Sequence, residues 1–257
     1  MNRPMKKAIM GIIRLLSLLR LFPNRLVLVH KAPQKLIEFD EIARMANLNP
    51  DDSILDIGCG TGVQTLLLGK ESKHVVGIDI SSRAIESAEA LARASMLSSR
   101  VSFLQGDVVE AEFEENSFTR IVSLCVLEHI PDWQRVLKKA NKWLAPGGYL
   151  TISVDSLATI KDEGIVKKHR KDHSVITYFD SQTLESALRE AGFSHVELHP
   201  ILRSDRAKEQ FTRSVIGNSF GGLNIFRLLV EYARLRKAET EASDKDEGIF
   251  LVAKATR

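Results

Sequence analysis

From Ser53 onward, short apolar runs alternate with segments of helical apolar spacing, and this alternation restricts the fold more than any other feature of the chain. The runs are Ser53–Ile57, His74–Ile80, Val101–Gln105, Arg120–Val126 and Tyr149–Val154, and between them lie Val63–Lys70, Ser82–Met96 and Pro131–Leu144. Strands that alternate with helices build βαβ units, whose crossovers demand a parallel sheet. "APGGY", Ala145–Tyr149, supplies the glycine stop that ends a helix and launches a strand. A helix over Ser181–Gly192 follows, with strands at Ser194–Pro200 and Gly248–Thr256, the seventh. The chain is therefore expected to be an α/β protein with helices on both faces of a mostly parallel sheet.

The first strand ends in "ILDIGCGTG", Ile54–Gly62, with three glycines at Gly58, Gly60 and Gly62. A strand that enters a helix through such a turn offers close backbone approach and free N–H groups to a cofactor. The spacing is G-x-G-x-G, and Val63 stands where a dinucleotide fold would place its next glycine. Asp79 in "VVGIDIS" ends the second run, where a carboxylate can accept both ribose hydroxyls. Asp107 in "LQGDVVE" ends the third, where a carboxylate can meet an adenine amino group. With Asp56, three acidic residues end successive strands. They suit a cofactor with an amino-acid tail, a ribose and an adenine, and they would repel a diphosphate, which favours S-adenosylmethionine over NAD. Two simpler readings stand beside this one: Asp56 as a turn cap, and Cys59 and Cys125 as small buried apolar residues.

In these blocks, together with "IVSLCVLEHIPD" and "LAPGGYLTISV", the chain resembles the class I S-adenosylmethionine-dependent methyltransferases over about Asn49 to Gly192. Within that family it is most similar to the small-molecule group that includes quinone-biosynthesis enzymes. The resemblance implies a Rossmann-like seven-stranded sheet whose last strand, Gly248–Thr256, is antiparallel. It also implies a cofactor site in which Asp56, Gly58, Cys59, Gly60 and Gly62 wrap the methionine part. Asp79 with Ile80 would hold the ribose side, Asp107 with Val108 the adenine, and Leu124 and Cys125 would line the cofactor.

Methyl transfer from a sulfonium asks the protein for proximity, alignment and, for a hydroxyl acceptor, a base. "LEHIPD" sets Glu128 and His129 just past the fourth strand, at the mouth of the expected cofactor pocket, and His129 has the intrinsic pKa for such a base. The alternative is that both residues shape the loop. His169, His173 and Tyr178 in "KKHRKDHSVITYF" are further candidates, in a segment placed as a substrate-covering loop. Its basic run Lys167–Lys171 suits an anionic substrate group or simply a solvated loop. The fourth strand is not followed by the Asn/Asp-Pro-Pro-aromatic signature of base-N-methylating enzymes, and no Pro-Cys pair marks a cytosine-type nucleophile. Nucleic acid is thus not the expected acceptor.

Net charge is +3, but eight Lys/Arg precede the first acidic residue, Glu38, leaving a body with 28 basic and 33 acidic residues. Residues 1–37 read as a basic amphipathic arm and 38–257 as the methyltransferase domain. In the arm, Lys6, Lys7, Arg14 and Arg20 share one helical arc, and Ile9, Ile12, Leu15, Leu16, Leu19 and Phe22 share the other. Segment 5–22 suits peripheral contact with an anionic membrane, and equally a lid over the cofactor site or a transit peptide. Residues 202–247 form a helical insertion between the last two strands. Its segment Asn224–Glu239 places Ile225, Leu228, Leu229, Tyr232 and Leu235 on one face, a second membrane contact or the roof of an apolar cavity. Two cysteines without Cys/His ligand spacing give no metal site and point to a reducing, cytoplasmic compartment, on the inner face of a membrane if the arm binds one. The expected function is methyl transfer to a small, hydrophobic or lipid-linked acceptor, quinone-like among them, at oxygen or carbon. Its rivals are a non-catalytic protein of methyltransferase fold and an NAD(P)-dependent oxidoreductase.

Overall fold

The computed structural model describes residues 32–95, 97–217, 225–242 and 247–257. The amphipathic segment 5–22 lies outside the described residues. The elements in chain order are α1 (Pro33–Ala46), β1 (Ser53–Ile57), α2 (Val63–Gly69), β2 (His74–Asp79), α3 (Ser82–Ala94) and β3 (Val101–Gln105). They continue with β4 (Phe118–Leu124), α4 (Trp133–Trp143), β5 (Leu144–Asp155), α5 (Glu163–His173) and α6 (Ser181–Glu190). The chain ends with β6 (Ser194–Ile201), α7 (Asp205–Ile216), α8 (Ile225–Thr240) and β7 (Phe250–Thr256). The seven strands form one sheet in the order β3-β2-β1-β4-β5-β7-β6. β7 runs antiparallel to both of its neighbours, the last strand reversed as expected.

The chain clusters into two compact units, one holding Leu48–Ala111 and the other Lys31–Asn47 with Glu112–Arg257. In the first, β1 pairs with β2 from Ser53↔His74 to Ile57↔Ile78, and β2 with β3 from Val75↔Val101 to Asp79↔Gln105, all parallel. Both crossovers are helical; β1 is buried almost throughout, with Ile54 and Leu55 fully enclosed, whereas β3 buries only Val101 and leaves Ser102, Leu104 and Gln105 exposed. The Ser81 hydroxyl caps α3 by accepting from Ala84 N at 3.3 Å, and Ile85, Ala88 and Ala92 give the helix its buried stripe.

In the second unit, α4 buries Trp133, Val136, Leu137, Ala140 and Trp143 and runs directly into β5. β5 begins at Leu144, five residues before the expected start at Tyr149, because Leu144 already pairs with Phe118. The following pair, Arg120↔Tyr149, leaves Ala145–Gly148 looped out as a bulge, so "APGGY" interrupts the strand instead of preceding it. The expected covering loop contains a helix, α5, capped by Asp162 Oδ1, which accepts from Gly164 N at 2.8 Å and Ile165 N at 3.2 Å. Its buried residues are only Ile165 and His169, one i,i+4 pair in a run of charge, so apolar spacing does not announce it.

α1 straddles the expected boundary at residue 37, with Pro33 in its first turn and Asn47, at φ 41°, ending it. It packs on β5, β7 and α8. Of the apolar face expected in the 202–247 insertion, Leu228, Tyr232 and Leu235 are buried, and α8 packs on α1 and α7. Glu239 ties the end of α8 to the start of α7, accepting from Ser204 Oγ at 2.6 Å and Arg203 N at 2.9 Å. No helix among the described residues is long and apolar enough to cross a membrane.

Candidate functional site

In the first unit, the end of β1 turns through three residues at positive φ: Gly58 at 71°, Gly60 at 52° and Gly62 at 75°. The N–H groups of Gly58 and Cys59 both donate to Ile78 O, at 2.8 and 3.1 Å, which docks the turn on β2. Asp79 at the tip of β2 completes the frame. Its Oδ2 accepts from Gly60 N at 2.8 Å, and its Oδ1 from Ser81 N at 2.9 Å. Each oxygen keeps a second lone pair, and the side chain is half-buried at the strand end.

The glycines differ in what surrounds them. A Cβ on Gly60 would meet nothing within 4 Å, whereas one on Gly62 would strike Ala88 Cβ at 2.6 Å and the Phe103 ring at 2.7 Å. Gly60 therefore faces open space, and Gly62 admits packed neighbours. Beside Asp79, Ile80 is 70% exposed, an apolar surface at a strand end where a flat ring can lie. Asp107 is exposed and turns the chain after β3, its Oδ1 accepting from Val109 N at 2.9 Å, while Val108 is buried beneath it.

Asp56 occupies a different place from these residues. Its side chain is fully buried, and its carboxyl accepts from Gln64 Nε2 and Thr65 Oγ1, both at 2.7 Å. Burial raises its pKa to about 7, the two hydrogen bonds pull down, and Asp79 adds to the rise. Asp56 thus pins the start of α2 beneath the glycine turn. The Cys59 thiol is buried, and burial, then Asp56 and Asp79, push its pKa up, so it is an inert small residue.

The second unit gathers the remaining candidates around the end of β4. Leu124 is its last residue, half-buried, and Cys125 follows in the left-handed region at φ 49°. The Cys125 thiol donates to Glu38 Oε1 at 2.9 Å, and the Ser153 hydroxyl donates to the same oxygen. Lys35 Nζ pairs with Glu38 Oε2 at 2.7 Å and lies 4.6 Å above the Phe250 ring. Burial alone would raise the Glu38 pKa, but Lys35 and the bonds from Cys125 and Ser153 turn the net shift downward.

Glu128 does not stand at a loop mouth. The single 3₁₀ turn Leu127–His129 points its side chain inward, with no exposed surface, and leaves His129 exposed. Both Glu128 carboxyl oxygens lack a hydrogen-bond partner. Burial, then the neighbouring Asp155, push its pKa well up. His129 Nδ1 lies 3.4 Å from Ser174 O. The Tyr178 hydroxyl meets His169 Nδ1 at 3.0 Å, and burial, then Asp155, push the phenol up to about 12. His169 is buried, and burial, then His173, lower its pKa to about 4. His173 stacks on it with ring centroids 4.6 Å apart, its own pKa lowered chiefly by burial. Of these imidazoles, His129 and His173 are exposed, and His173 stacks on the buried His169.

Sequence reasoning missed Lys35, Glu38, Ser153 and Asp155. Lys35 belongs to the part of the chain that reads as arm, and Glu38 is merely its first acid. The alternation Thr151, Ser153, Asp155 in a buried strand is the one signal that could have revealed a polar cluster.

The sequence model of the methyltransferase-domain family matches residues 28–198. Phosphoethanolamine N-methyltransferase 1 of Arabidopsis thaliana is 32% identical over 157 residues, which are 61% of this chain and 31% of that enzyme. The 27-O-demethylrifamycin SV methyltransferase of Amycolatopsis mediterranei is 30% identical over 158 residues, 60% of this chain and 58% of that enzyme. The match thus spans 31% to 58% of the length of these relatives. Among solved structures, Haemonchus contortus phosphoethanolamine N-methyltransferase 2 in complex with S-adenosyl-L-methionine superposes with a TM-score of 0.61 at 21% identity, over 86% of this chain and 52% of that one. This last likeness is one of fold.

Proposed function

We propose that this chain, which belongs to the class I S-adenosylmethionine-dependent methyltransferases, methylates a small acceptor of hydrophobic or lipid-linked character at oxygen or carbon. It is a methyltransferase with S-adenosylmethionine as cofactor, and the sulfonium supplies an electrophilic methyl group and a good leaving group. The observation that carries the site assignment is the open face of Gly60 beside the Asp79 carboxylate and the exposed Ile80. Gly58, Cys59, Gly60 and Gly62 would receive the methionine part along their backbone. Asp79 would accept the ribose hydroxyls on its spare lone pairs, and Ile80, Asp107 and Val108 would take the adenine. Asp56 acts as a positioning residue, since its carboxyl is spent on Gln64 and Thr65.

For a hydroxyl acceptor, His129 takes the proton. It is exposed, whereas Glu128 has no solvent access and the Tyr178 phenol holds its proton to about 12. A small-molecule acceptor agrees with the relatives, which are named for phosphoethanolamine and a rifamycin. The hydrophobic character rests on the apolar arc of segment 5–22, which also suits peripheral contact with an anionic membrane. The test is methyl-labelled S-adenosylmethionine incubated with the protein and an extract of its source cells, followed by organic–aqueous partition. Protein-dependent label in the organic phase supports the proposal, and label confined to the aqueous phase overturns the hydrophobic acceptor. Asp79→Ala tests the site independently. The loss of charge-assisted hydrogen bonds worth about 1.5–3 kcal/mol each is expected to weaken cofactor binding by calorimetry ~10–100-fold per bond. Unchanged affinity would remove Asp79 from the site.

A further inference from the structure

The second unit contains a group of side chains to which the proposed methyl transfer assigns no step. Cys125, Glu128 and Asp155 offer one donor atom each, and the three atoms lie within 4.8 Å of one another. They stand at the ends of two neighbouring strands: Cys125 and Glu128 follow β4, and Asp155 is the last residue of β5. Glu128 and Asp155 are buried, at 0% and 5% exposure. Carboxylate oxygens withdrawn from water without hydrogen bonds are costly, and native structures seldom leave them so. Yet both oxygens of Glu128 are unpartnered.

The charges around the group point the same way. Lys35 is engaged by Glu38 at 2.7 Å, and Ser153 and Cys125 also donate to Glu38. No ion pair forms at Glu128 among the described residues, and His169 Nε2 lies 3.8 Å from Asp155 Oδ2. Glu128 and Asp155 therefore form a pair of buried carboxyl groups that feel the Lys35 charge but share that single ammonium with Glu38. A divalent ion would add positive charge between the two carboxyls and coordinate the Glu128 oxygens, which have no hydrogen-bond partner.

We propose that Cys125, Glu128 and Asp155 form a binding site for a first-row divalent transition-metal ion such as Zn²⁺. A mixed set of one sulfur and two carboxyl donors suits Zn²⁺ or Co²⁺, whereas Mg²⁺ and Ca²⁺ take oxygen alone. Metal–sulfur bonds of about 2.3 Å and metal–oxygen bonds of about 2.0–2.2 Å bring the donors closer than 4.8 Å, a contraction that small side-chain shifts supply. Cys125 binds as the thiolate, its proton passing to solvent as the sulfur–metal bond forms. His169, tied through Nδ1 to the Tyr178 hydroxyl at 3.0 Å, stands where it can orient Asp155 from outside the first shell.

The experiment is a Co²⁺ titration of the full chain after chelation, read by absorption. Binding of one ion per chain with a sulfur-to-cobalt charge-transfer band is expected. Cys125→Ser should lose that band, and Glu128→Gln and Asp155→Asn should each weaken binding by ~100-fold or more, beyond the about 10–100-fold loss that removal of an outer-shell partner causes. Zn²⁺ should raise the melting temperature of the native chain and leave that of Glu128→Gln unchanged, a readout that requires no acceptor. Absence of a stoichiometric Co²⁺ spectrum in the native chain would overturn the proposal, as would equal binding by folded Glu128→Gln or Asp155→Asn. Either result overturns the site whatever the outcome of the methyl-transfer assay.

Discussion

Two alanine substitutions two residues apart in the glycine turn should separate stability from cofactor binding. Gly62→Ala places a methyl group 2.6 Å from Ala88 Cβ and 2.7 Å from the Phe103 ring, in a residue held at φ 75°. The left-handed backbone costs a residue with a Cβ about 1–2 kcal/mol. Overpacking against β3 and α3 adds about 1–3 kcal/mol. Gly62→Ala should therefore lose about 2–5 kcal/mol, a large share of the about 5–15 kcal/mol that holds a typical domain. Gly60→Ala, at φ 52° with nothing within 4 Å of the new methyl, carries only the backbone cost of about 1–2 kcal/mol. Its methyl projects into the space proposed for the cofactor, so its loss should appear as affinity for S-adenosylmethionine, by more than ~10-fold, one decade being about 1.4 kcal/mol. Urea denaturation measures the first quantity and isothermal calorimetry of the folded protein the second. The reasoning is refuted if Gly60→Ala binds the cofactor as the native chain does, or if it destabilises the fold as much as Gly62→Ala.

Three further substitutions test other parts of the argument. Asp56 has a folded-state pKa of about 7, above the about 3.9 of an unfolded aspartate, so the native state binds the extra proton between those values. Its contribution to stability is thus greatest at low pH and declines as pH rises from about 4 towards 7. Asp56→Asn, which keeps an acceptor for Thr65, should flatten that decline in urea midpoints measured across the window. His129→Asn should lower kcat about 10²–10⁴-fold on a hydroxyl acceptor while cofactor affinity by calorimetry stays unchanged, and an unaltered kcat would remove His129 as the base. Leu235, fully buried in α8, anchors that helix in its unit. Leu235→Ala should destabilise by about 2–5 kcal/mol, and an effect under about 0.5 kcal/mol in urea denaturation would mean that α8 is not held by its apolar face.

The parts of this fold that the sequence made legible are those with local signals. β1 and β3 span the residues that their apolar runs mark, Ser53–Ile57 and Val101–Gln105, because each run is bounded by turn residues. The glycine turn is legible for the same reason, since its spacing is a local backbone requirement. α1 escaped notice because its buried face includes Gln34 and Glu38, which blur apolar spacing. α5 escaped because only Ile165 and His169 turn inward. The inward turn of Glu128 depends on a single 3₁₀ turn whose backbone carbonyl accepts from Ile176 N at 2.8 Å and Thr177 N at 3.2 Å, partners almost fifty residues away. No spacing in the sequence encodes that.

The glycines also show why a motif is an incomplete description of a site. Gly77, well outside the glycine turn, is as confined as Gly62, since a Cβ there would lie 2.9 Å from both Cys59 Sγ and the Phe103 ring. Phe103 on β3 thus packs against a glycine of the turn and a glycine of β2, and the turn lies close over the sheet because both positions lack side chains. Gly60 has no such neighbour. Its openness is useful to a ligand only because Gly62 and Gly77 let the Phe103 ring fill the space beneath, while Asp56 fixes the start of α2 through Gln64 and Thr65. A cofactor can rest on the Gly60 backbone when the neighbouring glycines are fully occupied by packing. In this sense Val63, buried as the first residue of α2, is no defect in the pattern, because what the helix start needs there is an apolar side chain in the core rather than a further glycine.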